Sequence, residues 1–294
     1  MAKNNIEILC ELKNAIGECP VYDPDKNNIY WVDIVNKTFL KYSLSTKKLK
    51  QYNAGKYDSY IILGDKGGVY LGMQDGLYKY DFEKNQPELL GAPVPYDIYS
   101  HRFNDGKADV NGIIWAGTTS FFEGYEHCEL YRIDHDFNYR KVLSNVIVSN
   151  GLAWSPNNTI FYYIDSFTKL IYKFDFDKET SSISNQKLFI DFNENGEIGN
   201  PDGMTVDNNG NLWIAHWGGS RVTCWDHQTG KKLDEIVFPN KIVTCPIFVE
   251  DSLILTTATL NYTDNDFKQE SPFAGSLLRV NVGVSGVPSF KIHE

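Results

Sequence analysis

Ile114-Trp115-Ala116-Gly117-Thr118, entered through Asn111-Gly112 and followed by Leu130-Tyr131-Arg132-Ile133-Asp134, is the stretch that decides the fold, because its pattern recurs along the chain. Aromatic and β-branched residues alternate with small or polar ones at a period of two, as on a pleated strand, and Asn-Gly tolerates the positive φ of a tight hairpin. Equivalent stretches begin at Ile29, Val69, Phe161, Leu212 and Leu253, so that successive copies lie 40, 45, 47, 51 and 41 residues apart. Most follow a polar turn, among them Asp25-Lys26-Asn27-Asn28, Asp65-Lys66-Gly67-Gly68 and Asn208-Asn209-Gly210. A further strand closes each unit, clearest in Leu77-Tyr78-Lys79-Tyr80-Asp81 and Ile171-Tyr172-Lys173-Phe174-Asp175.

Units of about 40 to 50 residues built from several short strands are the sequence signature of propeller blades. Six units predict an all-β, six-bladed β-propeller over residues 1–294 as a single domain, with a β-sandwich pair as the competing architecture. Closing the ring calls for Ile6 to Leu12 to add an outer strand to the last blade, hiding an edge that would otherwise template aggregation. The aromatic content of 14%, with 18 Tyr and 17 Phe, suits strands and excludes a disordered chain.

Charge narrows the partners. Twenty-eight Lys and Arg stand against 38 Asp and Glu, a net charge of −10, which argues against nucleic acid or an anionic membrane. The five cysteines, Cys10, Cys19, Cys128, Cys224 and Cys245, have no metal-ligand spacing and read as free thiols of a reducing compartment. Glu and Lys interrupt the apolar residues near the start, as neither a secretory signal nor a membrane span does. The expectation is a cytoplasmic protein, a monomer or weak dimer, whose partner is a small molecule.

The segment before each hairpin is the entry to the blade's innermost strand, and innermost strands line the central channel. Four of these entries carry oxygen-bearing side chains: Glu18 in Gly17-Glu18-Cys19-Pro20, Asn104 in Arg102-Phe103-Asn104-Asp105-Gly106, Asn150 in Ser149-Asn150-Gly151, and Asp202 in Pro201-Asp202-Gly203. Brought to one point, such groups suit a hard cation such as Ca²⁺, Mg²⁺ or Mn²⁺. Taken one at a time, Asn-Gly and Asp-Gly are also ordinary turn dipeptides. It is the shared register that favours a site. Arg102 stands on the same ring as a candidate donor to a substrate oxygen. His101, His216 and Trp217 serve equally well as channel lining.

These blocks, with Trp115-Ala116-Gly117-Thr118, Tyr162-Tyr163-Ile164-Asp165-Ser166 and Ala274-Gly275-Ser276-Leu277-Leu278-Arg279-Val280, resemble the regucalcin (senescence marker protein), gluconolactonase and luciferin-regenerating enzyme family, in order and spacing from about residue 10 to 290. The resemblance implies a metal site on the propeller axis for one divalent cation (Ca²⁺, Zn²⁺, Mg²⁺ or Mn²⁺), held by Glu18, Asn150 and Asp202. It further implies lactone hydrolysis with Asp202 as acid/base, and substrate contacts from Arg102 and Asn104. Phe122 stands where sugar-lactone members carry a glutamate, and Glu123 beside it faces the other side of a strand. The Phe121-Phe122 pair makes a more apolar pocket wall than a polyhydroxy sugar favours. Cys19 stands where the family more often has a small residue. Two other readings are a calcium-binding regulatory protein without turnover, and a propeller hydrolase acting on a non-sugar lactone or a phosphotriester.

Overall fold

The structure, a computed structural model, describes residues 5–122, 127–270 and 272–294; Glu123 lies outside them. Six antiparallel sheets of four strands each follow one another along the chain. From the axis outwards, blade 1 comprises Gly17–Asp23, Asn28–Asp33, Thr38–Ser43 and Leu49–Asn53, and blade 2 Asp58–Leu63, Val69–Met73, Gly76–Asp81 and Gln86–Leu90. Blade 3 comprises His101–Ala108, Ile114–Ser120, Cys128–Ile133 and Tyr139–Val146, and blade 4 Ser149–Trp154, Ile160–Asp165, Leu170–Asp177 and Ser182–Asp191. Blade 5 comprises Asn200–Val206, Leu212–Trp217, Arg221–Trp225 and Lys232–Val237.

Blade 6 takes Val243–Val249, Ser252–Thr257 and Leu277–Asn281, and its outermost strand is Ile6–Cys10 from the other end of the chain. Ile6 pairs with Val280, Glu7 with Arg279 and Ile8 with Leu278, so the ring closes as the repeat demands. The one helix among the described residues, Asp264–Glu270, belongs to the loop between the second and third strands of this blade.

Apolar side chains lie between successive blades. Trp115 and Trp154 pack with Phe161, Tyr163 and Phe174 between blades 3 and 4, whereas Trp213, Val222, Leu253, Leu278 and Val280 pack between blades 5 and 6. Trp31, Trp115 and Trp225 are wholly buried. In blades 3 and 5 the hairpin supplies an acceptor for a buried indole N–H. Asp109 Oδ2 takes the Trp115 N–H at 2.9 Å and Asp207 Oδ2 that of Trp213 at 3.0 Å, while their Oδ1 atoms cap the turn amides of Asn111 and Asn209. The Asx turns that mark the repeat in the sequence thus also satisfy a buried donor.

The innermost strands touch their neighbours around the axis. Near its start each breaks register against the second strand: between Glu18 and Val21, Asp58 and Tyr60, Phe103 and Gly106, Asn150 and Leu152, Pro201 and Met204, and Val243 and Pro246. A bulge re-aims the side chains at the break. All six bulges occur at one level of the channel, and the candidate residues sit in or beside them.

At the other end of the channel the last residues run across from blade 5 to blade 2. Val287 N donates to Val206 O at 3.0 Å, Ile292 N to Leu63 O at 2.9 Å, and the Glu294 carboxylate accepts from Tyr70 Oη at 2.9 Å and from Gly68 N at 3.0 Å. Beneath them lies a cavity of about 60 Å³ lined in part by Val21, Ile62, Lys107, Trp154, Val206 and Phe290. Cys19, Pro20, Gly106 and Leu152, at the bulges, line its inner end.

Candidate active site at the channel mouth

Glu18, Asn150 and Asp202, dozens of residues apart in sequence, meet at the bulge level. All three are buried. Asn150 Nδ2 donates to Asp202 Oδ1. The carboxyl groups of Glu18 and Asp202 approach closely enough to share a proton. Asp202 Oδ2 finds no fixed N–H or O–H donor among the described residues.

The local backbone explains how these oxygens are presented. Cys19, at φ 46°, gives its N–H to Glu18 Oε2 at 2.7 Å, and Gly151, at φ 39°, gives its N–H to Asn150 Oδ1 at 3.1 Å. In both blades a left-handed residue after the oxygen-bearing one turns its amide back onto that side chain. A Cβ on Gly151 would come within 2.3 Å of Ile164 Cδ1 and 2.7 Å of the Asp202 carbonyl oxygen, so glycine is required there. Blade 1 accepts the strained backbone with a cysteine.

Electrostatics follow from burial. Burial, with the Asp105 charge added, pushes the Glu18 carboxyl up to about 8. Burial and the Glu18 charge raise Asp202 well above the usual carboxylate range. Two carboxylates cannot both stay ionised in so dry a place unless a positive charge joins them. The donor set of two carboxylates, one of them with its buried Oδ2 unpartnered among the described residues, and one amide oxygen therefore fits a hard divalent cation. Among the described residues no three His, Cys, Asp or Glu side chains form a metal-binding group; the third oxygen here is an amide.

Arg102 and Asn104 lie beside this cluster on blade 3. Arg102 Nη1 donates to the Phe103 carbonyl at 2.7 Å, to Asn104 Oδ1 at 3.1 Å and to Ser59 Oγ at 3.3 Å. Asn104 Nδ2 donates to the Ser149 carbonyl at 2.9 Å. The guanidinium charge acts on Glu18, which it draws down against the larger effect of burial. His216 is channel packing: fully buried, it bonds Ile198 O at 2.8 Å and Thr223 Oγ1 at 2.7 Å, and burial lowers it to about 4.

Two carboxylates escaped the reading of the sequence. Asp105, next to Asn104, takes a hydrogen bond from the Cys19 thiol at 3.1 Å, leaves Oδ2 without a partner among the described residues, and acts electrostatically on both Glu18 and Asp202. Asp58, at the corresponding place in blade 2, is wholly buried with neither oxygen partnered by another side chain among the described residues, and burial raises it well above its ordinary value. The signal for Asp58 was its place in the repeat. Asp105 is hidden by strand parity, which points it away from the channel if Asn104 points in, until the bulge between Phe103 and Gly106 breaks that alternation.

A six-bladed propeller whose axis gathers two carboxylates and an amide, with an arginine beside them, is the class that fold and site define. The chain matches the SMP-30/gluconolactonase/LRE-like region over residues 16–259 and belongs to that family. It is 33% identical over 280 residues, 94% of both chains, to the Bacillus subtilis protein named "Putative sugar lactone lactonase YvrE". To regucalcin of Danio rerio it is 30% identical over 99% of each chain. The solved structure of a luciferin-regenerating enzyme superposes with a TM-score of 0.91 at 31% identity, covering 99% of this chain and all of the other.

Proposed function

We propose that the protein is a divalent-cation-dependent lactonase that opens a small lactone to its hydroxy acid. The observation that carries this reading is the paired burial of Glu18 and Asp202 with Asn150 beside an arginine, in a family whose relatives are named for lactone chemistry. Glu18, Asn150 and Asp202 would hold the cation. When bound, it supplies Lewis acidity towards a carbonyl or water oxygen.

In this mechanism the Asp202 carboxylate, whose Oδ1 Asn150 engages, accepts a proton from the attacking water. The water oxygen bonds to the lactone carbonyl carbon, and the carbonyl π electrons move onto its oxygen. Arg102 faces that developing negative charge with guanidinium N–H groups other than Nη1, which Phe103, Asn104 and Ser59 hold in place. As the tetrahedral centre collapses, the ring C–O bond breaks and the departing alkoxide takes the proton from Asp202, leaving a carboxylic acid and an alcohol. Asn104 fixes the arginine and contacts the substrate with the amide hydrogen not given to Ser149. The scheme needs no nucleophilic serine.

The test is acid release measured by pH-stat over a lactone panel, with and without EDTA. Turnover that vanishes with EDTA and returns with Ca²⁺, Mg²⁺, Mn²⁺ or Zn²⁺ is the expected result. Asp202→Asn lowers kcat by about 10²–10⁴-fold. Tight Ca²⁺ binding without hydrolysis of any lactone would instead establish a calcium-binding protein.

A further inference from the structure

Large apolar side chains are distributed unevenly over the two faces of the ring. In each antiparallel blade the innermost strand starts on the face that holds the site, so that face also carries the loops joining second to third strands and one blade to the next. Val35, Tyr99, Phe121, Phe122, Phe167 and Ile198 all lie on those loops and are exposed, Tyr99 to 83%. On turns of the opposite face only Phe82 is comparable among the described residues.

The wall next to Arg102 is the best defined part of this rim. Phe121 continues the strand in which Ser120 pairs with His101 and Thr119 with Arg102, and its N–H is held by Ser100 O at 2.9 Å. Its ring, 40% exposed, meets that of Tyr57 at 5.6 Å between centroids. Lys37 Nζ lies 4.9 Å from the Tyr57 centroid, and the Tyr57 hydroxyl is within electrostatic range of Arg102. Two rings from neighbouring blades thus form a fixed apolar surface beside the group assigned to the lactone carbonyl.

Apart from the Asn104 and Arg102 N–H groups assigned to the lactone itself, several nearby hydrogen-bonding side chains are already engaged within the protein. Asn104 is bonded at both ends of its amide, Ser59 Oγ donates to Phe103 O at 2.5 Å, Ser120 Oγ to Ser100 O at 3.2 Å, and Ser100 Oγ to Asp97 Oδ2 at 2.9 Å. A hydroxyl group pressed against the faces of the Tyr57 and Phe121 rings exchanges water for no partner, which is unfavourable. An aryl or alkyl group loses nothing there and gains the contact with the rings.

We propose that the substrate of this site is a lactone bearing an aryl or alkyl substituent, which packs on Tyr57 and Phe121 while the ring carbonyl faces Arg102. The proposal rests on the lactonase reading above and names its substrate class. Three matched γ-lactones decide it: phenyl-substituted, unsubstituted and polyhydroxylated, assayed on the full chain with saturating Ca²⁺. The phenyl lactone is expected to show a kcat/KM at least about ten-fold above either of the others.

Phe121→Ser cuts that preference by about ten-fold, whereas Leu233→Ser, on the outermost strand of blade 5, leaves it intact. Should Phe121→Ser not fold, calorimetric Kd values for the matched lactams, which are not hydrolysed, take its place: the phenyl lactam binds wild-type protein about ten-fold more tightly than the polyhydroxylated one. Hydrolysis with the polyhydroxylated lactone equal or preferred overturns the substrate class and leaves the lactonase reading standing. Failure to hydrolyse any of the three overturns both.

Discussion

At the scale of single residues, Glu18 has the clearest measurable consequence. In an unfolded chain its carboxyl titrates near 4.5, while burial in the folded protein moves it up to about 8. Below the lower value both states are protonated. Between the two values the unfolded state releases a proton that the folded state keeps, so rising pH favours unfolding. The cation-free protein should therefore lose thermal stability steadily from about pH 5 to pH 8. A divalent cation replaces the shared proton, so added Ca²⁺ should raise Tm more at pH 8 than at pH 5. Differential scanning fluorimetry with EDTA or Ca²⁺ at stepped pH checks both statements. Glu18→Gln should flatten the EDTA curve and weaken Ca²⁺ binding by about two orders of magnitude. A wild-type EDTA profile that is flat across this window would sink the idea of a buried, proton-sharing pair.

At the scale of elements, the bulge is the device that makes the site. A regular strand sends alternate side chains to opposite faces, and the break at the start of each innermost strand changes which residues enter the channel. Gly151 shows how narrowly this is tuned, since its positive φ and the closeness of Ile164 and the Asp202 carbonyl leave no room for a Cβ. Gly151→Ala should cost about 1–3 kcal/mol of stability. It should also lower cation affinity and kcat/KM together, because Asn150 and Asp202 both move. Urea unfolding beside a Ca²⁺ titration measures the two effects. Loss of stability with unchanged affinity would show that the bulge is only structural.

Legibility divides at this scale. The hairpin turns, the second and third strands of each blade and the entry residues Glu18, Asn150 and Asp202 stand out because a 40- to 50-residue repeat aligns them. Asp105 does not stand out, because alternation assigns it to the wrong side, and the double engagement of Asn104 depends on Arg102 and Ser149 approaching from separate strands.

At the scale of the whole molecule, closure is the vulnerable feature. The outer edge of Leu277–Asn281 is covered only by Ile6–Cys10 among the described residues. Removing residues 1–11 should expose a full strand edge and part of the packing between blades 5 and 6, where Ile6 and Ile8 lie. The expected outcome is a Tm lower by several degrees and the appearance of dimers or larger species, measured by fluorimetry and light scattering after size exclusion. A truncated chain that stays monomeric at the original Tm would show that the final blade holds without its added strand. The run of residues 284–294 across the far end of the channel is a second long-range tie, with Glu294 bonded to residues of blade 2.

The amino-acid sequence by itself determined the strand period, the number of blades, the source of the closing strand and three oxygen-bearing residues of the axis, since all of these are local patterns repeated at a fixed interval. Tertiary structure alone decided that the Glu18 and Asp202 carboxyl groups come together, that Asp105 is buried beside them, and that Phe121 meets Tyr57 beside Arg102. Those outcomes depend on distances between strands of different blades and on bulges that reverse a side chain's direction, and neither quantity is encoded within any one repeat.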